Sequence, residues 1–458
     1  VKLAGSHVLV TGAGVTGPPV AKALLALGAV VTVTDADAGR LCSVAQALPG
    51  LRAAHDLRTP PPDTALVVTA PGWRPDAPVL AAAARAGIEV IGDVELAWRL
   101  CAERAEPPVW LAVTGTNGKT TTVAMLTAIL RAAGVNAVAC GNIGLPVVEA
   151  VAAGYRVLAV ELSSFQLHWS PSVRPAAGAL LNLAEDHLDW HGDMAAYAAA
   201  KARVLTGDVA IAGVDDEVVA GLLAESPAKR RIGIRLGEPG PDEFGIVDGM
   251  LVDRAFADGE PLAAVADIRP PGPPGVFDAL AAAALARVHG VPADAVAAGL
   301  RAFEPSAHRA AAVAEIDGVR YVDDSKATNP HAAAASLGAH PRVVWIAGGL
   351  LKGARVDDLV AAAAQRLAGV VLIGADREVI ATALARHAPD VPVRRVSGGD
   401  DGSMSVMTAA VRAARAMARP GDVVLLAPAA ASQDMFTDYR QRGRAFADAV
   451  TALVPETG

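Results

Sequence analysis

Short apolar runs rich in Val, Ile and Leu recur along the chain, with Ala/Leu-rich stretches between them. In the first hundred residues they are His7–Thr11, Val30–Thr34, Leu66–Thr69 and Ile88–Ile91. Continuous apolar runs of this length read as strands buried on both faces, and intervening helical stretches imply parallel crossovers. After a linker-like Glu103–Pro108 the pattern resumes at Val109–Val113, with a helical stretch at Val123–Ala132 and strands near Val157–Glu161 and Gly178–Leu183. A small irregular β-like section spans Ile232–Ile268, and the sharp loop Pro270–Gly275 precedes a helix predicted from Val276 to His289. A third set of runs lies at Arg320–Val322, Val343–Ala347, Val370–Ile373, Val393–Val396 and Val423–Ala427. The expected fold is α/β in three domains, residues 1–105, 106–304 and 305–458, with the second boundary at Glu304–Ser306.

Composition narrows the function. Hydrophobic residues make up 53% of the 458, yet aromatic residues only 4%, so the excess is Ala and Val, and no apolar run reaches the length of a membrane span. The opening VKLAGSHVLVTG runs directly into a strand and does not read as a signal peptide. A net charge of −8 argues against a nucleic-acid surface. Cys42, Cys101 and Cys140 are far apart, without ligand spacing, and fit a reducing cytosol. Arginine is the usual cation, yet four of only seven lysines (Lys119, Lys201, Lys326, Lys352) fall in motif-like segments. A lysine offers a compact charge or a neutral nucleophile, which arginine cannot.

The most informative segment is Pro108–Thr122, PVWLAVTGTNGKTTT. A strand, a glycine turn and a helix N-terminus follow one another there. This is the context in which backbone N–H groups and the helix dipole hold an anion. Gly115, Thr116, Asn117, Gly118, Lys119, Thr120 and Thr121 are the candidate nucleoside-triphosphate contacts, with Lys119 reaching the β- and γ-phosphates and Thr120 meeting Mg²⁺. Val113 stands where the standard phosphate-loop pattern has its first glycine, so the turn is tighter.

Other candidates follow other strands. Gly12–Gly17, GAGVTG, closes the first strand and Asp35 the second. This turn either holds a phosphate-bearing group or is a close-packed βα turn. Glu161 ends a strand, where a carboxylate holds Mg²⁺ or caps a helix, and His187 in EDHLD follows the next strand as a metal or phosphate contact or a structural histidine. Lys201, with Tyr197 one turn earlier, reads from spacing alone as a solvated surface lysine. Asp323–Asn329, DDSKATN, sets acid, base and hydroxyls on one loop; Arg309 lies near the second boundary; GGLLKG (348–353) and Ser432, with Phe436 and Tyr439, follow later strands. Strand-end sites throughout the chain suggest ATP-driven joining of two substrates.

TGTNGKTTT, GNIG (141–144), ELSSFQL, EDHLD, DDSKATN and PAAASQDMFTDYRQRG together resemble the Mur ligases of peptidoglycan synthesis over essentially the whole chain. GTNGKT is shared with folylpolyglutamate synthases, while SSFQL and DSKATN point to the D-glutamate-adding member. The resemblance implies a Rossmann-like UDP-binding domain, a central ATP-binding domain and a Rossmann-like C-terminal domain. It implies an ATP-dependent ligase in the cytoplasm, a monomer, joining D-glutamate to UDP-N-acetylmuramoyl-L-alanine with Mg²⁺, two ions in all. By position, Lys119, Glu161, His187 and Lys201 match the catalytic set. Thr120, Glu161, His187 and Lys201 match the metal contacts, Lys201 as a carbamylated lysine. Arg309, Asp324 and Lys326 match further ATP contacts. Gly14, Val15, Thr16 and Asp35 match the uridine site, and Asn142, Ser163, Gln166 and His187 contacts to the sugar substrate. Thr328, Lys352, Ser432 and Tyr439 match the D-glutamate pocket.

Three departures stand out. Leu350 and Leu351 occupy the region where an acid normally supports Lys352, which leaves Asp357 as the expected substitute. Gly275 and Asp278 stand near two expected asparagines of an adenine site, and Ala36-Asp37 replaces a Thr-Arg pair for uracil. Besides the ligase, the sequence admits a folylpolyglutamate-type ligase, disfavoured by the complete N-terminal anion-binding region, and a nucleotide-binding regulatory relative without catalysis.

Overall fold

The computed structural model describes residues 3–305, 307–396 and 403–453; Ser306, at the expected second boundary, lies outside them. Its strands form three sheets. The first holds β1 (His7–Thr11), β2 (Val30–Asp35), β3 (Arg52–His55), β4 (Thr64–Thr69) and β5 (Glu89–Gly92) in the order β3-β2-β1-β4-β5, all parallel. The strand order reverses beside β1, so the Gly12–Gly17 turn lies at the switch point where open sheets accept ligands.

The second sheet contains β6 (Val109–Thr114), β7 (Ala137–Gly141), β8 (Val157–Glu161), β9 (Ala177–Leu180), β10 (Val209–Gly213), β11 (Arg230–Ile234), β12 (Glu243–Val247), β13 (Met250–Asp253) and β14 (Glu260–Ala264). Their order is β14-β13-β12-β11-β10-β9-β6-β8-β7. The section expected to be irregular is therefore regular. Beyond the parallel pairing of β11 with β12, an antiparallel meander extends the sheet. The phosphate loop follows β6, a central strand with β8 and β9 as neighbours, so the ends of both flank it.

The third sheet holds β15 (Ala311–Ile316), β16 (Val319–Asp323), β17 (Val343–Gly348), β18 (Leu367–Ile373), β19 (Val393–Arg395) and β20 (Val423–Leu426), in the order β15-β16-β20-β17-β18-β19. Only the β15–β16 pair is antiparallel. Helices cover both faces, giving two apolar layers. The α/β class is thus as the sequence implies.

Contacts gather the chain into two compact units, Val1–Leu183 with Trp190–Phe303, and Ala184–Asp189 with Glu304–Gly458. The first unit contains the first two sheets, joined by one apolar core from Val8 and Val94 to Trp110, Leu162 and Leu167. Trp98 meets Trp110 edge to face at 5.2 Å. The fully buried Glu95 accepts from the Ser172 amide at 3.0 Å and from the Ser172 hydroxyl at 2.5 Å, and binds Arg99 at 2.8 Å. A carboxylate so completely hydrogen-bonded meets the cost of its burial.

Candidate active site

The phosphate loop takes its shape from two glycines. Gly118 has φ 86° and precedes the helix Lys119–Ala132; a Cβ there would meet Asp278 Oδ1 at 2.3 Å. Gly115, at φ 159°, lies against Leu181 and Asn182. Asp278, replacing one expected asparagine, is buried and accepts from the Thr122 hydroxyl at 3.3 Å, so it packs beneath the start of the helix. Lys119 Nζ folds over the loop and donates to the carbonyls of Gly115 and Thr116, both at 2.8 Å.

Lys201 is not a surface residue. Only 2% of it is exposed, and its Nζ donates to the same Gly115 carbonyl at 2.7 Å and lies 4.8 Å from the centre of the Tyr197 ring. The Tyr197 hydroxyl is 3.0 Å from the Thr116 hydroxyl. The helix Met194–Ala202, capped by Asp193, thus turns its Tyr197–Lys201 edge against the phosphate loop. An Ala-rich sequence hides this, because the buried face of such a helix carries no contrast in hydrophobicity.

Glu161 pairs in register with Val113 on one side and Gly141 on the other. It is 1% exposed. Its Oε1 accepts from Asn142 Nδ2 at 2.8 Å, while Oε2 is buried without a hydrogen-bond partner. Gly141 must be glycine, since a Cβ would meet the Glu161 carbonyl oxygen at 2.3 Å. Ser163 and Gln166 form a reciprocal capping box on the next short helix, with both bonds at 3.1 Å. In the first sheet, Asp35 accepts from the Ala13 amide at 2.7 Å and the Asp37 amide at 2.9 Å, which sets its carboxylate beside the turn carrying Gly14, Val15 and Thr16. Val15 is 85% exposed.

His187 lies on the segment Ala184–Asp189 of the second unit, just before the short helix Leu188–His191, at φ 55° and 3.5 Å from Asp186. Elsewhere in that unit His308 Nδ1 is 2.6 Å from Asp323. Burial raises the Asp324 carboxyl, against the lowering effects of Ser336 and Arg309. Lys326 Nζ sits 4.0 Å from the centre of the Tyr439 ring. Burial alone would raise the Tyr439 phenol, but the charge of Lys326, assisted by Arg440, outweighs it and lowers the pKa. Thr328 follows on the same loop, its amide bonded to the Lys326 carbonyl at 2.8 Å. Leu350 and Ala431 exchange two backbone bonds of 2.9 Å, which stitch the Lys352 loop to the buried Ser432.

Asp357 does not replace the missing acid. It starts a helix and is taken by Arg386 and by His387 at 3.1 Å. The carboxylate on the lysine loop is Asp376, which accepts from the Leu351 amide at 2.7 Å. Two further residues organise these sites. Asn182 clamps the phosphate loop through its bonds to Asn117, and the apolar pattern around it gives no sign of this. Arg442 is fully buried and donates to the Ser325 hydroxyl and carbonyl at 2.9 Å and to the Ala430 carbonyl at 3.0 Å; burial lowers its pKa to about 10. One arginine in an arginine-rich chain gives no signal at all.

Comparison with known proteins places this geometry. The Mur ligase middle domain matches residues 113–239, and the Mur ligase glutamate ligase domain residues 308–430. Proteins named UDP-N-acetylmuramoylalanine--D-glutamate ligase from Rhodococcus jostii and Nocardia farcinica are each 56% identical over 98% of this chain, and over 96% and 97% of their own lengths. The Mycolicibacterium smegmatis protein of that name is 55% identical over 98% of this chain and 97% of its own. Solved structures share the fold at low identity. A pseudomurein peptide ligase type C from Methanothermus fervidus has a TM-score of 0.61 at 16% identity, covering 98% of this chain and 100% of that one. UDP-N-acetylmuramate-alanine ligase MurC from Thermotoga maritima has 0.57 at 18%, with the same coverage. The chain belongs to the Mur ligase family, in the branch of the D-glutamate ligases.

Proposed function

We propose that the chain joins D-glutamate to UDP-N-acetylmuramoyl-L-alanine at the expense of ATP, in the cytoplasmic synthesis of peptidoglycan precursors. What carries the reading is identity above one half along nearly the whole chain, which itself holds the phosphate loop, Glu161, Lys201 and the Lys326 loop. No helix among the described residues is long and apolar enough to cross a membrane. Residues 1–105 would hold the UDP-sugar, 106–304 the ATP and 305–458 the amino acid.

In the reaction the terminal phosphoryl group of ATP passes to the alanyl carboxylate and ADP leaves. The D-glutamate amine attacks the acyl carbon, loses a proton, and phosphate departs with the electrons of the C–O bond. The protein must bring anions together and stabilise the charge that moves between them. Lys119 and the helix N-terminus at Thr120 and Thr121 answer the triphosphate; in the second unit, Arg309, Asp324 and Lys326 match ATP contacts of the family by their place in the motifs. Asn142, Ser163 and Gln166 orient the sugar substrate, with Gly14, Val15, Thr16 and Asp35 at its uridine end. Thr328, Lys352, Ser432 and Tyr439 take D-glutamate.

Mg²⁺ fits the donors present. Among the described residues no group of three or more His, Cys, Asp or Glu is placed to hold a metal ion. Mg²⁺ commonly takes one or two carboxylates and completes its shell with phosphate oxygens and water. Glu161, with one buried oxygen unpartnered, suits that role, together with the Thr120 hydroxyl and a carbamate on Lys201. Bound there, the ion neutralises phosphoryl charge.

Phosphate release from ATP tests the reading. Release should require both UDP-N-acetylmuramoyl-L-alanine and D-glutamate, and stop when either is omitted. Release without the sugar substrate, or with a folate in its place, would overturn it. L-glutamate should not replace D-glutamate. Ser432→Ala should raise the KM for D-glutamate about tenfold, the scale of one lost hydrogen bond to a charged group, while the KM for ATP stays put.

A further inference from the structure

The loop that follows β6 reaches its helix through Asn117, and one side chain 65 residues away takes both main-chain polar groups of that residue. The Asn117 N–H donates to Asn182 Oδ1 at 2.9 Å, and Asn182 Nδ2 donates to the Asn117 carbonyl at 3.2 Å. The Thr116 N–H donates to the Asn182 backbone carbonyl at 3.0 Å. These bonds continue the β6–β9 ladder beyond its last strand pair, Thr114 with Leu180, by way of the Leu181 N–H on the Thr114 carbonyl at 2.9 Å. The side chain finishes what the backbone of β9 begins.

We infer that Asn182 is a positioning residue for the nucleotide, one that fixes the phosphate loop in its anion-binding shape before the ligand arrives; this rests on the ATP reading above. The chemistry needs a carboxamide. Only a side chain with an acceptor and a donor on one rigid plane bonds both the N–H and the C=O of one residue; aspartate lacks the donor and glutamine is a methylene longer. Asn182 is itself anchored on both sides. Leu181 is buried in the core, and the Leu183 N–H donates to Asp216 at 3.2 Å. The clamp also sorts the donors of the loop. It turns the N–H groups of Thr116 and Asn117 toward β9, which leaves the helix N-terminus at Gly118–Thr120 to meet an anion. A loop residue fixed in advance does not have to be ordered by the ligand, so the clamp acts on affinity.

Isothermal titration of the full chain with AMP-PNP and Mg²⁺ tests this. Asn182→Ala should weaken binding about tenfold, the factor expected when the ligand must order one more backbone residue. The KM values for the UDP-sugar and D-glutamate should stay within about twofold, because neither ligand depends on that order. Asn182→Asp, nearly isosteric, should bind more weakly still, since it loses the donor and brings a negative charge toward the phosphates, and added salt should narrow its gap to Ala. A merely structural role would lower the melting temperature of both variants while the folded protein kept its nucleotide affinity. That result, or Asn182→Asp binding as tightly as wild type, would overturn the inference. Should Asn182→Ala not fold, the Asp variant alone decides. Failure of the wild type to bind AMP-PNP would instead remove the ATP reading itself.

Discussion

Replacing Lys119 by Ala should lower turnover by about two to three orders of magnitude, the usual cost of removing one preorganised donor from developing charge. Two bonds of 2.8 Å to the Gly115 and Thr116 carbonyls already hold the ammonium over the loop, so little reorganisation precedes its use. The loss should fall mainly on kcat, because a charge that follows the transferring phosphoryl group acts most in the transition state. Lys119→Arg should not restore the rate. The guanidinium is larger and planar, and the pocket formed by two carbonyls fits a point charge. Near-normal turnover in pure Lys119→Ala would remove the residue from the chemistry.

Lys201 should divide its variants more sharply. With 2% of the residue exposed and Nζ on the Gly115 carbonyl, Lys201→Ala should be nearly inactive. A short-chain carboxylate in the buffer should restore part of the activity by occupying the vacated anion position. Lys201→Arg should be inactive and resist rescue, since arginine takes up no CO₂ and brings a positive charge where a negative one would support Mg²⁺. Wild-type activity in Lys201→Arg would show that a cation suffices there, and the carbamate would be ruled out.

What could be read from the chain is what is local. The strand, glycine turn and helix around Lys119 lie within fifteen residues, and each residue's reason for being there is steric or dipolar. Glu161 and Ser432 were legible because strands end beside them. Lys201 was not, since its burial depends on a helix packing against a loop more than eighty residues earlier. The edge strand Arg52–His55 gives no sequence signal because it is largely exposed and has no apolar run. Asp357 looked like a partner for Lys352 because it is near in sequence, but a helix start turns it toward Arg386 and His387. Asn182 sits where the apolar pattern predicts strand; the strand in fact stops at Leu180, and the residues after it bond the phosphate loop instead.

The core shared by the first two sheets bears on how specificity can be exchanged within the family. Trp98 packs on Trp110, and buried Glu95 is satisfied by Ser172, so the N-terminal region is completed by residues well outside it. A chimera that imports residues 1–105 from a relative would replace Glu95 and Trp98 and leave Ser172 and Trp110 facing foreign neighbours. Recombination that trades one sugar-nucleotide preference for another should therefore succeed only when the crossover carries the Trp110 and Ser172 positions with it. Natural variation at these sites should travel in blocks, inherited together across a junction that the linear order of the chain does not mark.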